Sequence, residues 1–96
     1  MTTVKLFEQE VINALCVYIS RKESISPEEV MVELLFDDDT GFSVEAEFRQ
    51  QRQFLKEPVM IQALRKWVQF QHGLDPFSAG LQLELDDQEG IVAYVK

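Results

Sequence analysis

Carboxylates crowd two short stretches of the chain: Asp37, Asp38 and Asp39 in one, Asp86, Asp87 and Glu89 in the other. Oxygen donors at this density are what Ca²⁺ and Mg²⁺ take as ligands. The spacing does not fit an EF-hand loop, which sets its acids at alternate positions and closes with a distant Glu. Turn chemistry accounts for the same residues. Asp opening a type I turn, with Gly in the left-handed region a few residues on, is a common hairpin connection, and Gly41 and Gly90 stand in the right places for it. The turn reading is preferred, so no metal site is assigned. Divalent-cation binding through these acidic turns is kept as an alternative.

The chain has one thiol, Cys16, and one imidazole, His72. A Cys–His nucleophile pair needs hydrogen-bond contact, and its thiol needs a lowered pKa. Cys16 falls in the middle of one predicted helix and His72 at the end of another. No glycine-rich phosphate loop, zinc-ligand pairing or serine elbow occurs. No catalytic residue and no cofactor is therefore assigned. An enzyme whose site forms between subunits, with His72 in it, is a further alternative. Arg49, Arg52 and Lys56 form a small basic patch. A nucleic-acid surface needs a larger basic field with exposed aromatics, so pairing with the chain's own carboxylates is the expected use.

The elements that must carry these residues follow from periodicity. Phe7, Val11, Leu15 and Tyr18, with Ile12 and Ile19, recur at helical spacing and predict a helix over residues 7–22. Residues 24–28, with Pro27, connect it to strict alternation. Val30, Val32, Leu34 and Phe36 face one side, Met31, Glu33 and Leu35 the other. After the acidic turn, Phe42, Val44, Ala46 and Phe48 alternate with Ser43, Glu45, Glu47 and Arg49, which completes a hairpin. Residues 50–53 read as a connector. A second helix is predicted over 58–72, with Pro58 at its first position and Gly73 as its stop. Its apolar stripe is Met60, Ala63, Leu64, Trp67 and Val68. A loop with Pro76 leads to a second hairpin, in which Leu81, Leu83 and Leu85, then Ile91, Ala93 and Val95, share one face.

The second half repeats the first at a constant offset of 49, as from Ile12 to Ile61. Ala14 matches Ala63, Leu15 matches Leu64, Pro27 matches Pro76, Leu34 matches Leu83, Asp37 and Asp38 match Asp86 and Asp87, and Gly41 matches Gly90. Tyr18 with Trp67 and Phe42 with Ile91 swap like for like. Self-similarity at a fixed period is to be weighed before other readings, and one helix–hairpin unit cannot cover its own sheet. The expected fold is α+β: a duplicated α-β-β unit with a four-stranded antiparallel sheet and two helices packed on one face. It forms a single domain, 1–96, with the repeat at about 7–47 and 56–96.

Nine basic residues against 17 acidic leave a net charge of −8. Such a field repels phosphates and anionic lipid, so neither nucleic acid nor membrane is expected as a partner. A single cysteine forbids an internal disulfide, and residues 1–5 lack a signal-peptide pattern, which together suggest the cytoplasm. The two helices differ on one side. Cys16 and Val17 occupy the positions of Arg65 and Lys66, so the first helix is apolar nearly all round. Met31, Leu35, Val92 and Tyr94 fall on the strand face away from the core. These six residues are the interface candidates, and a homodimer is expected.

Three strings carry a family resemblance. They are Glu10, Val11, Ile12, Asn13, Ala14, Leu15 and Cys16; then Asp37, Asp38, Asp39, Thr40, Gly41 and Phe42; then the tail 86–95 from Asp86 through Gly90 to Val95. They resemble a group of small uncharacterised Bacillus proteins, the YxcD-like proteins. The resemblance implies a bacterial cytosolic origin and carries over no activity. The function expected from the sequence is that of a small cytosolic interaction or regulatory domain, with the biochemical activity left unknown.

Overall fold

The computed structural model describes residues 4–73 and 80–95. Pro76, matched above with Pro27, lies outside the described residues. In chain order the elements are β1 (Val4–Leu6), α1 (Glu8–Glu23), a 3-10 turn (Pro27–Glu29), β2 (Met31–Asp37), β3 (Gly41–Phe48), β4 (Gln51–Lys56), α2 (Glu57–His72), β5 (Leu81–Asp86) and β6 (Gly90–Val95). The fold is α+β.

Each helix is bounded by local chemistry. Glu8 and Glu10 lie in the first turn of α1, Arg21 and Lys22 in the last, each sign favoured by the helix dipole there. α1 ends on Ser24 in the left-handed region, and the Ile25 N–H returns to the Ser20 carbonyl. α2 has Pro58 in its first turn and ends on Gly73, also left-handed. Ser26 and Glu29 form a capping box around the 3-10 turn.

The expected four-stranded sheet is not what forms. The strands make two three-stranded antiparallel sheets, ordered β1-β6-β5 and β2-β3-β4. The reason is a pair of strands that periodicity did not reveal. β1 and β4 precede the helices, and each pairs with the last strand of the other half's hairpin. Those pairings occupy the edges of β3 and β6 along which the two hairpins could have met. β1 has only three residues, too few for alternation to register. β4 opens with Gln51, Arg52 and Gln53, whose polar side chains give no strand signal, and it is reached through a tight two-residue turn with both Arg49 and Gln50 at positive φ.

The two sheets share one register under the offset of 49. Val4 opposes Val95 as Gln53 opposes Ala46, and Leu6 opposes Ala93 as Leu55 opposes Val44. The hairpins match as well: Val32 with Ala46 and Asp37 with Gly41 correspond to Leu81 with Val95 and Asp86 with Gly90.

α1 packs on β1, β6 and β2, α2 packs on β3, β4 and β5, and the helices pack on each other, so each helix touches both sheets. The core between these layers holds Leu6, Val11, Leu15, Val44, Met60, Leu64 and Val68, all fully buried. Each large aliphatic side chain so buried contributes about 1.5–3 kcal/mol by leaving water. A smaller cluster, Ile19, Val30, Ala46 and Phe48, packs beside α1 with Cys16 against it. Among the described residues, no helix is long and apolar enough to cross a membrane.

Candidate functional site

α1 and α2 meet at small residues. Ala14 and Ala63 are both buried, and from that contact the C-terminal halves of the two helices border a groove of about 480 Å³. Its walls are Val17, Tyr18, Arg21 and Lys22 from α1, and Lys66, Trp67, Gln69, Phe70 and Gln71 from α2. Ten of the lining residues fall into pairs under the repeat offset: Ala14 with Ala63, Val17 with Lys66, Tyr18 with Trp67, Arg21 with Phe70, and Lys22 with Gln71. Residues 49 apart in sequence thus line one space from the two helices.

The groove joins aromatic surface to positive charge. The Lys66 ammonium lies 5.5 Å from the centre of the Tyr18 ring, and the Arg21 guanidinium lies 5.0 Å from that of Phe70. Both distances are within cation–π range. Phe70 is largely exposed at 64%. Among the described residues, Arg21, Lys22 and Lys66 have no carboxylate partner. In a chain of net charge −8 these are cations held away from the surplus acids.

Trp67 is fixed from behind. Its indole N–H donates to Glu10 Oε2 at 2.8 Å, and the same oxygen lies 2.6 Å from His72 Nε2. Burial pushes the Glu10 carboxyl up, but the hydrogen bonds from Trp67 and His72 outweigh it and hold the group below its ordinary range. His72 is therefore engaged with Glu10 and is not a groove-lining residue. Cys16 has a different partner: its thiol donates to the Val30 carbonyl at 3.6 Å, and burial raises its pKa. No Cys–His pair forms.

The interface candidates fall in several places. Cys16 is half-buried and turned toward Val30, just before β2, and the smaller cluster. Val17 lines the groove. Val92 is 1% exposed within the single chain. Tyr94 is half-buried, with the Lys5 ammonium 5.8 Å from its ring centre. Met31 is 71% exposed, and Leu35 lies on the same outer face of β2.

The acidic turns are built as turns. Asp37 Oδ1 accepts the Asp39 N–H at 2.8 Å, and Asp86 Oδ1 accepts the N–H groups of Gln88 and Glu89 at 2.8 and 2.9 Å. Those bonds to Gln88 and Glu89 hold the Asp86 carboxyl below its usual range. Glu89 pairs with the Lys5 ammonium. Asp38 and Asp87 are exposed, and among the described residues no three His, Cys, Asp or Glu side chains converge as metal ligands would. Of the basic patch, Arg52 Nε pairs with Glu45 at 2.8 Å and Arg49 donates to the Glu23 carbonyl.

The groove itself was not read from sequence. Tyr18, Arg21, Lys22, Trp67 and Phe70 were available as a signal in one form only, the juxtaposition of equivalent positions on two helices once those helices are known to touch.

The family described as "Protein of unknown function (DUF2653)" matches residues 1–88. A protein of Bacillus subtilis (strain 168), "Uncharacterized protein YxcD", is 34% identical over 91 residues, which cover 94% of this chain and 89% of that protein. No solved structure matches the chain.

Proposed function

We propose that the chain, which belongs to the DUF2653 family of proteins of unknown function, is a small interaction domain whose binding site is the groove between α1 and α2. One observation carries this reading. Arg21, Lys22 and Lys66, without carboxylate partners among the described residues, border one concave space with Tyr18, Trp67 and Phe70. Cations without carboxylate partners beside aromatic surface in a concave site suit an anion, which they attract while the rings shield one side of the contact from water. The lining offers no nucleophile held by a base, so binding and not turnover is the use that fits. Trp67 is the single tryptophan and reports from the wall of the site. The test is amide chemical-shift mapping against a panel of small anionic, neutral and cationic compounds. Perturbations gathered on 14–22 and 63–71, and strongest for the anions, are expected. Perturbations gathered on the outer face of β2, β3 and β4 would overturn the reading.

A duplicated unit underlies the site in this reading. The unit is larger than the helix–hairpin expected, since a strand leads each helix: β1-α1-β2-β3 and β4-α2-β5-β6. Support comes from the shared register of the two sheets and from the groove-lining pairs at the same offset.

A homodimer is the second reading, and one observation favours it. Met31, Phe54 and Leu35 share the outer face of the β2-β3-β4 sheet, with Met31 71% and Phe54 64% exposed. Glu33, Glu45 and Glu47 stand among these side chains on that face, and exposed apolar side chains rimmed by polar ones mark association surfaces. Sedimentation at micromolar concentration tests it, and a dimer that Met31→Lys returns to monomer is expected. A single thiol held protonated by burial suits the reducing cytoplasm.

A further inference from the structure

We infer that the groove takes a small amphiphilic carboxylate, an apolar body of aromatic or medium-chain acyl type ended by a single anionic head. The inference rests on the reading of the groove as the binding site and names the ligand it selects.

Size sets the first limit. A space of about 480 Å³ falls in the range of small-molecule sites. The lining runs from position 14 to 22 on one helix and 63 to 71 on the other. At 1.5 Å per residue that is roughly 12 Å of wall, the length of a ten-carbon chain and too short for a docked helix of several turns. Chemistry sets the second. Val17, Tyr18, Trp67 and Phe70 offer apolar and aromatic surface that a bare inorganic anion would leave unused. The nest of backbone N–H groups that cradles polyphosphates has no counterpart among the lining residues, which come from the middle and last turns of the two helices. What remains is a molecule with one charged end and one apolar end.

Charge and apolar surface interleave along the groove. At Val17 and Lys66, and again at Arg21 and Phe70, one helix supplies an apolar side chain and the other a cation. The Lys66 ammonium lies over the Tyr18 ring and the Arg21 guanidinium over that of Phe70. A carboxylate received by either charge thus has aromatic surface beside it for the body of the same molecule.

The experiment follows Trp67 emission in the full chain during titration with decanoate, with decyltrimethylammonium and with acetate. Saturable binding of decanoate is expected, with decyltrimethylammonium at least about tenfold weaker, which corresponds to about 1.4 kcal/mol, and no response to acetate. Arg21→Gln and Lys66→Gln change exposed side chains, and circular dichroism checks that each variant keeps the fold. Each is expected to weaken decanoate several-fold, and the double variant more. Equal binding of the two chains of opposite charge overturns the inference, as does unchanged decanoate affinity in the double variant. A response to an acidic peptide but not to decanoate also overturns it while leaving the groove as a binding site. No response to anything in the panel removes both.

Discussion

The Glu8 carboxylate stands over Gly90: Oε2 accepts the Ile91 N–H at 2.9 Å and lies 1.9 Å from where a Cβ on Gly90 would sit. The start of α1 is thereby fastened to the hairpin of the other half. Glu57 approaches Gly41 at the equivalent position, but its Oε1 is 3.7 Å from the corresponding Cβ site.

Both glycines have positive φ, so an alanine at either costs about 1 kcal/mol of backbone strain. Gly90→Ala must also dislodge the Glu8 carboxylate and free the Ile91 N–H. It is expected to lose about 1–2 kcal/mol more than Gly41→Ala. Urea unfolding of the two variants side by side measures the difference, and equal losses would contradict it.

Glu10 links acid stability to the groove wall. A carboxyl whose folded pKa is depressed contributes stability that is complete above its unfolded value, about 4.3, and fades as pH falls through the lower folded value. Glu10→Gln is expected to cost about 1 kcal/mol at neutral pH, the site being partly solvated. The gap from wild type should narrow as pH falls below the ordinary carboxylate range. A gap that stays constant from pH 7 to pH 3 would refute the linkage.

Cys16 should be a slow thiol. Burial raises its pKa, and its S–H is directed at the Val30 carbonyl, so little thiolate is present at neutral pH. Reaction with Ellman's reagent is expected to be many-fold slower in the native protein than in denaturant. Similar rates in the two states would show the site to be open.

Three non-glycine residues among those described, Ser24, Arg49 and Gln50, bear left-handed backbone that glycine would adopt more easily. Ser24 closes α1 at φ 58°, and Gln50 sits at φ 60° in the β3–β4 turn. Ser24→Gly and Gln50→Gly are each expected to stabilise the protein by about 0.5–1 kcal/mol. Thermal melts that show either variant below wild type would count against the assignment of those turns.

Much of this was legible in the chain alone. Amphipathic spacing located both helices to within a residue, because burial of one face imposes period on sequence wherever a helix is long enough to display it. Alternation and the Asp-to-Gly turns located both hairpins, and Gly73 marked the end of α2. What periodicity could not supply was partnership. Val4, Lys5 and Leu6 are too few to declare a strand, and Gln51, Arg52 and Gln53 too polar. They become strands because β6 and β3 offer free backbone edges at the right distance. That pairing separated the sheet in two. The groove belongs wholly to tertiary structure. Tyr18, Arg21, Lys66 and Trp67 were visible as residue types, but a site made by two helices exists only once Ala14 and Ala63 bring those helices together. Local sequence records which face of an element avoids water, and it does not record which element will meet that face.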